Sequence, residues 1–162
     1  MYSSTEEPGL VASKGVPTFK DLLSLLCAAH TLWGLSDARR IIDAGIAEVD
    51  RFGSPSNIAV VDAGGSLVAH MRMDGARLGS IEHSIDKAHT SVLFRSATGD
   101  LTRDSEPGGR FWGMALSGLG RVLVFAGGVP LRAGGEVVGA VGTSGGSRRQ
   151  DTAVAEAAAA AL

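Results

Sequence analysis

Two short runs rich in β-branched and apolar residues, Asn57 to Asp62 and Ser66 to Asp74, are separated by only Ala63-Gly64-Gly65. Three residues cannot carry a parallel crossover, so these runs can pair only as an antiparallel hairpin. The C-terminal half repeats the device: Arg121 to Ala126, Val129 to Arg132 and Glu136 to Thr143 are short and glycine-punctuated, with Gly134-Gly135 placed for a second hairpin turn. No alternating crossover rhythm supports a doubly wound parallel sheet. The expected architecture is therefore α+β, an antiparallel sheet with helices covering its faces.

The helices are read from the 3.6-residue period. Phe19, Leu22, Leu23, Leu26 and Ala29 form one stripe over Thr18 to Trp33, widened by Leu25 and Leu32. A helix apolar over so much of its girth is expected to pack on more than one side, against another subunit as well as its own core. A second helix is expected to be capped by Ser36 and to bury Ala38, Ile41, Ile42, Gly45, Ile46 and Val49. A third is expected over Gly79 to Ser96 with the stripe Ile81, Ile85, Ala88 and Val92, and an alanine-rich fourth over Arg148 to Leu162. In the second strand of the first hairpin, Leu67, Ala69, Met71 and Met73 are assigned to the core and Val68, His70 and Arg72 to the solvent side. Residues 97–117 read as a long loop whose Phe111 and Trp112 need burial in a cleft or at a subunit boundary.

With 162 residues and 44% hydrophobic side chains the chain has material for one core, expected over 18–162 behind a loose lead-in at 1–17. Fifteen basic against 17 acidic residues, with no basic block beyond Arg148-Arg149, argue against a nucleic-acid partner. The acidic start is unlike a secretory signal and the most apolar early stretch is too short to span a bilayer, so a cytoplasmic, non-membrane protein is expected. A single cysteine, Cys27, excludes an intrachain disulfide; it reads as a small buried residue, with His30 the only base close in sequence.

Among polar residues, the turn Thr143-Ser144-Gly145-Gly146 joins a strand end to a helix start, where backbone amides and the helix dipole can hold an anion. The alternative is a tight turn with Ser147 capping the helix. Lys87 either pairs with Glu82 or offers an amine for carboxylate binding or proton transfer. Arg72 can hold a carboxylate with its planar fork or stand exposed on its strand. His83 and Lys87 share a helix face, as do Asp86 and His89, but no histidine pair has zinc-site spacing, so no protein-built metal site is expected. Asp62 reads as a turn cap, and Asp151 as stabilising the first turn of the last helix.

The ordered set VVDAGG, RMDGA, DKA, GGVPL and GAVGTSGG, running from about Leu35 to Ala160, resembles the GlcG/HbpS-like family, whose domain also forms the C-terminal part of PduO-type proteins. The resemblance implies a roughly five-stranded antiparallel sheet flanked by helices, broadly profilin-like, and assembly into homodimers or higher homo-oligomers. His89 stands where the family's DKAxT motif commonly has arginine, and the helix at 18–33 extends before the usual family start.

Three functional readings are weighed in turn. The first is a cofactor-free lyase, isomerase or hydratase of a small organic acid, with Lys87, His89 and Arg72 as catalytic groups and Ser144, Gly145, Gly146 and Trp112 binding the substrate. The alternative is a haem-binding or sensor-like module in which His70, His83 or His89 ligates iron and Met and Phe side chains line the porphyrin. A non-catalytic assembly protein is the third reading.

Overall fold

The computed structural model describes residues 18, 33–116 and 120–162. The lead-in, Cys27, His30 and the helix expected over 18–33, apart from its end residues, lie outside them.

Helix α1, Leu35–Phe52, buries Ala38, Ile41, Ile42, Gly45 and Val49, the stripe that the period predicts. Its start differs from expectation. The N-cap is Gly34, two residues earlier than Ser36, and Asp37 at the third helical position accepts the Gly34 N–H on its carboxylate at 2.9 Å. The hairpin follows as β1, Asn57–Asp62, and β2, Leu67–Arg72. Asp62 caps the turn between them, taking the Gly64 and Ser66 amides on one oxygen at 2.9 Å each. Helix α2, Ser80–Phe94, and the short α3, Thr98–Asp104, precede the second hairpin of β3, Gly128–Ala133, and β4, Glu136–Ser144, and the chain closes with α4, Arg148–Ala159.

The described strands form one antiparallel sheet in the order β2-β1-β4-β3. One face carries α1 and α4, whose Ile41, Val49, Val154 and Ala158 join Ile58, Val60, Leu131 and Val141 in the main core. Trp33 packs against this core and donates Nε1–H to the Val138 carbonyl at 2.8 Å. The other face carries α2, with Ala88 and Val92 on Val61, Val137 and Ala140. Helix and sheet approach so closely here that a side chain at Gly142 would run into the Ser84 carbonyl.

Three expectations are corrected by this architecture. The first concerns one segment beside the sheet, whose four antiparallel strands among the described residues are flanked by helices as expected. Arg121 to Ala126, expected as a strand, is a strap held by side-chain hydroxyls. Thr90 Oγ1 donates to the Arg121 carbonyl and accepts the Leu123 N–H, Thr98 Oγ1 donates to the Phe125 carbonyl and accepts the Gly128 N–H, and Thr102 Oγ1 donates to the Val124 carbonyl at 2.5 Å. With those carbonyls satisfied from α2 and α3, the segment needs no strand neighbour.

The second concerns β2. Leu67 and Met71, assigned to the core, are half exposed, while Val68 packs against the main core with Ala69 and Met73. The register steps from Ala69 opposite Val60 to Leu67 opposite Val61, so Val68 is a bulged extra residue and the period-2 reading breaks there.

The third concerns the cleft expected for Trp112: residues 105–116 fold on themselves and leave it exposed in this chain, so the subunit boundary is the setting that stands as an expectation. Phe111 N–H reaches back to the Asp104 carbonyl, the Arg110 guanidinium lies 4.3 Å from the Phe111 ring centre, and Trp112 is 69% exposed. Among the described residues no helix is long and apolar enough to cross a membrane.

Candidate functional site

At the end of the sheet where β4 runs into α4, three elements meet on one buried ion pair. Lys87, reaching from α2, places Nζ 2.7 Å from Asp151 Oδ2 and 2.8 Å from the Thr143 carbonyl, and neither side chain is more than 7% exposed. The other carboxylate oxygen accepts the Gly146 N–H at 2.9 Å. The Ser147 amide is taken by Gln150 Oε1, and Ser147 Oγ accepts the Gln150 N–H, closing a capping box. Gly145 is wedged against the Pro55 carbonyl and Ser56. The seat for an external anion is thus filled from within: Asp151 supplies the carboxylate, and Lys87 neutralises it. Glu82, the partner weighed for Lys87 from sequence, is not the one it meets.

Of the remaining expected site residues only Ser144 lies at this corner. Ser144, buried at the end of β4, stands in register with Asn57, which in turn stands opposite Arg72. Arg72 is exposed on the edge strand, two strands from Lys87's partner loop. Trp112 belongs to the separate 105–116 loop. His89 lies at the opposite end of the sheet, against the β1–β2 turn.

There His89 is half-buried, with Nδ1 3.2 Å from the Gly65 carbonyl. A carbonyl oxygen only accepts, so Nδ1 carries the proton and Nε2 keeps its electron pair. No other hydrogen bond engages the ring among the described residues. The turn is shaped around this imidazole: Gly65 has φ +81°, and a Cβ there would lie 2.6 Å from Nδ1. Exposed Leu93 follows one turn along α2, and half-exposed Leu67 leads out of the hairpin turn.

His70, on the α2-facing side of β2, is the second notable imidazole. Its Nε2 is enclosed without a hydrogen-bond partner, as is Oδ1 of Asn57, whose Nδ2 donates to the Arg77 carbonyl at 3.1 Å. Burial pushes the His70 pKa below its ordinary 6.5; the Glu82 carboxylate opposes this and Arg72 adds to it. His83 is exposed. Among the described residues no three His, Cys, Asp or Glu side chains come together as a metal-binding group.

Sequence reasoning missed Gly65 as the cradle of His89 and Asp151 as the partner of Lys87. The spacing of 64 positions between Lys87 and Asp151 carries no local signal. The DAGG turn did carry one for Gly65, but it was absorbed by the hairpin.

Comparison with known proteins bears on this geometry. An uncharacterized 15.0 kDa protein from the dhaT-dhaS intergenic region of Citrobacter freundii is 36% identical over 124 residues, covering 76% of this chain and 87% of the relative. The corrinoid adenosyltransferase PduO of Citrobacter freundii is 35% identical over 126 residues, 78% of this chain but only 38% of that enzyme. Among solved structures, that of a PduOC:heme complex superposes with a TM-score of 0.77 at 32% identity, covering 80% of this chain and 94% of the other. The haem in so similar a relative overturns the cofactor-free acid–base enzyme expected from sequence, and with it the lyase, isomerase or hydratase. The geometry gives the physical reason: the amine and the Gly146 amide that such chemistry required are already joined through Asp151. The family model described as "Haem degrading protein HbpS-like" matches residues 34–160, and this chain belongs to that family.

Proposed function

We propose that this chain is a haem-binding module in which His89 ligates the iron. The observation that carries the reading is the His89–Gly65 arrangement. The carbonyl fixes the tautomer that leaves Nε2 as a ligand, an orienting contact of the kind that metal-bound imidazoles use. The absent side chain at Gly65 leaves room for the ring. His70 fits less well, because its Nε2 is enclosed and a rigid macrocycle needs open approach to the ligating atom. His83 is exposed and lacks an orienting contact among the described residues.

The residues therefore fit the group. Haem, when bound, supplies an iron that exchanges between ferric and ferrous states. The contribution of the chain is to hold an imidazole in one tautomer and to offer the apolar side chains of Leu93 and Leu67 beside it. Support also comes from family membership and from the relative crystallised with haem.

Titration with haemin tests the reading. The expected result is a saturable Soret shift that is lost or strongly weakened in His89→Ala and retained in His70→Ala and His83→Ala. Gly65→Ala is expected to weaken binding with the fold intact. A wild-type protein with no saturable Soret change, or a His89→Ala variant that binds as the wild type does, refutes it. Assembly into homo-oligomers belongs to the same proposal, supported by Trp112 at 69% and Leu116 at 88% exposure. Light scattering on the eluting protein reads it directly.

A further inference from the structure

We infer that Arg121 is the carboxylate anchor of this haem site, taking a porphyrin propionate and making the site selective for macrocycles with free acid side chains. The inference rests on the haem reading above and adds to it a specificity-determining residue.

Two independent contacts set the position of Arg121. Its backbone is pinned to α2 at Thr90, the residue after His89, which donates its hydroxyl to the Arg121 carbonyl and accepts the Leu123 N–H at 2.8 Å. Its side chain is drawn along the same helix, with Nε 3.2 Å from Asp86 Oδ1. Asp86 lies three residues before His89, and residues so spaced are surface neighbours with Cβ atoms about 5–6 Å apart. The guanidinium is thereby tethered within the radius of a porphyrin from the proposed ligand.

The charges around His89 require such a cation. Glu82 and Asp86 lie on the same outward side of α2, and a porphyrin carrying two carboxylates would meet a negative surface there. Arg121 is the basic side chain that an ion pair ties to this surface. One of its five N–H donors is committed to Asp86, and among the described residues the Nη groups make no hydrogen bond. That leaves the planar fork which suits a carboxylate. The residue is about half exposed, so an incoming acid reaches it without opening the fold. Arg95, by contrast, is engaged by Glu136 beside the β3–β4 turn.

The test compares haemin with haemin dimethyl ester, the same iron macrocycle with both carboxylates capped, on wild-type protein, Arg121→Gln and Arg121→Lys. Wild-type protein is expected to bind haemin about tenfold or more tightly than the ester, the worth of one charge-assisted hydrogen bond. Arg121→Gln is expected to bind both with similar, weak affinity, and Arg121→Lys to discriminate partially. Equal saturable binding of the two compounds by wild-type protein overturns the assignment, whether or not the variants fold. So does a folded Arg121→Gln that still discriminates. Absence of a saturable Soret change with either compound instead refutes the haem reading itself, and the anchor with it.

Discussion

Replacing Lys87 with methionine isolates the buried ion pair, because the two side chains are of similar length and the apolar stem is retained. In the wild type, the Asp151 carboxylate receives the Lys87 ammonium at 2.7 Å and the Gly146 amide at 2.9 Å, in a setting where both charged side chains are over nine-tenths buried. Removing the ammonium leaves a buried carboxylate with one neutral donor, and removes the donor to the Thr143 carbonyl as well. Breaking one side of such a pair costs about 3–5 kcal/mol. Against the usual domain stability of about 5–15 kcal/mol, that is a large fraction. For a chain of this size it corresponds to a fall in melting temperature of about 6–20 °C.

Urea unfolding followed by far-ultraviolet circular dichroism measures the loss. The double variant Lys87→Met/Asp151→Leu is expected to recover a substantial part, since it removes both buried charges. A Lys87→Met variant within about 1 kcal/mol of the wild type would show that the pair is solvated in solution. Losses in the double variant equal to the sum of the two single ones would show that the residues do not interact.

Two further perturbations probe other parts of the molecule. Because burial lowers the His70 pKa in the fold, the unfolded chain takes up a proton first as pH falls. The stability associated with neutral His70 is therefore fully present above pH 6.5 and declines below it towards the lower folded value. His70→Gln is expected to flatten that decline in urea midpoints measured between pH 7 and 5, and an unchanged slope refutes the assignment. Thr98→Val keeps the shape of a fully buried side chain but deprives the Phe125 carbonyl and the Gly128 amide of their partner. A loss of about 2–4 kcal/mol is expected in the same unfolding assay, and a neutral effect would mean that the strap is not held there.

Local pattern carried the fold a long way. The two hairpins, the Asp62 cap and the buried stripe of α1 are written within a few residues of where they act, and the structure has them all. Failures arose where a distant group outbid local preference. The valine-rich run at 121–126 has the composition of a strand, but hydroxyls from Thr90, Thr98 and Thr102, between 22 and 33 positions away, take its backbone groups. The bulge at Val68 reverses inside and outside by one residue, which composition cannot reveal. At the corner of β4 and α4 the glycine-rich loop did point to a carboxylate held by amides and a lysine. What no spacing could tell is that the carboxylate is the protein's own.

The manner in which the strap is fastened has a consequence for how this surface can diverge. A threonine hydroxyl that grips a peptide carbonyl is indifferent to the side chain attached to that peptide. Drift at positions 121, 124 and 125 can therefore re-letter the surface along the strap while the route of the chain stays fixed. The helices hold the course, and the bordering residues are left free to adapt to whatever is accommodated there.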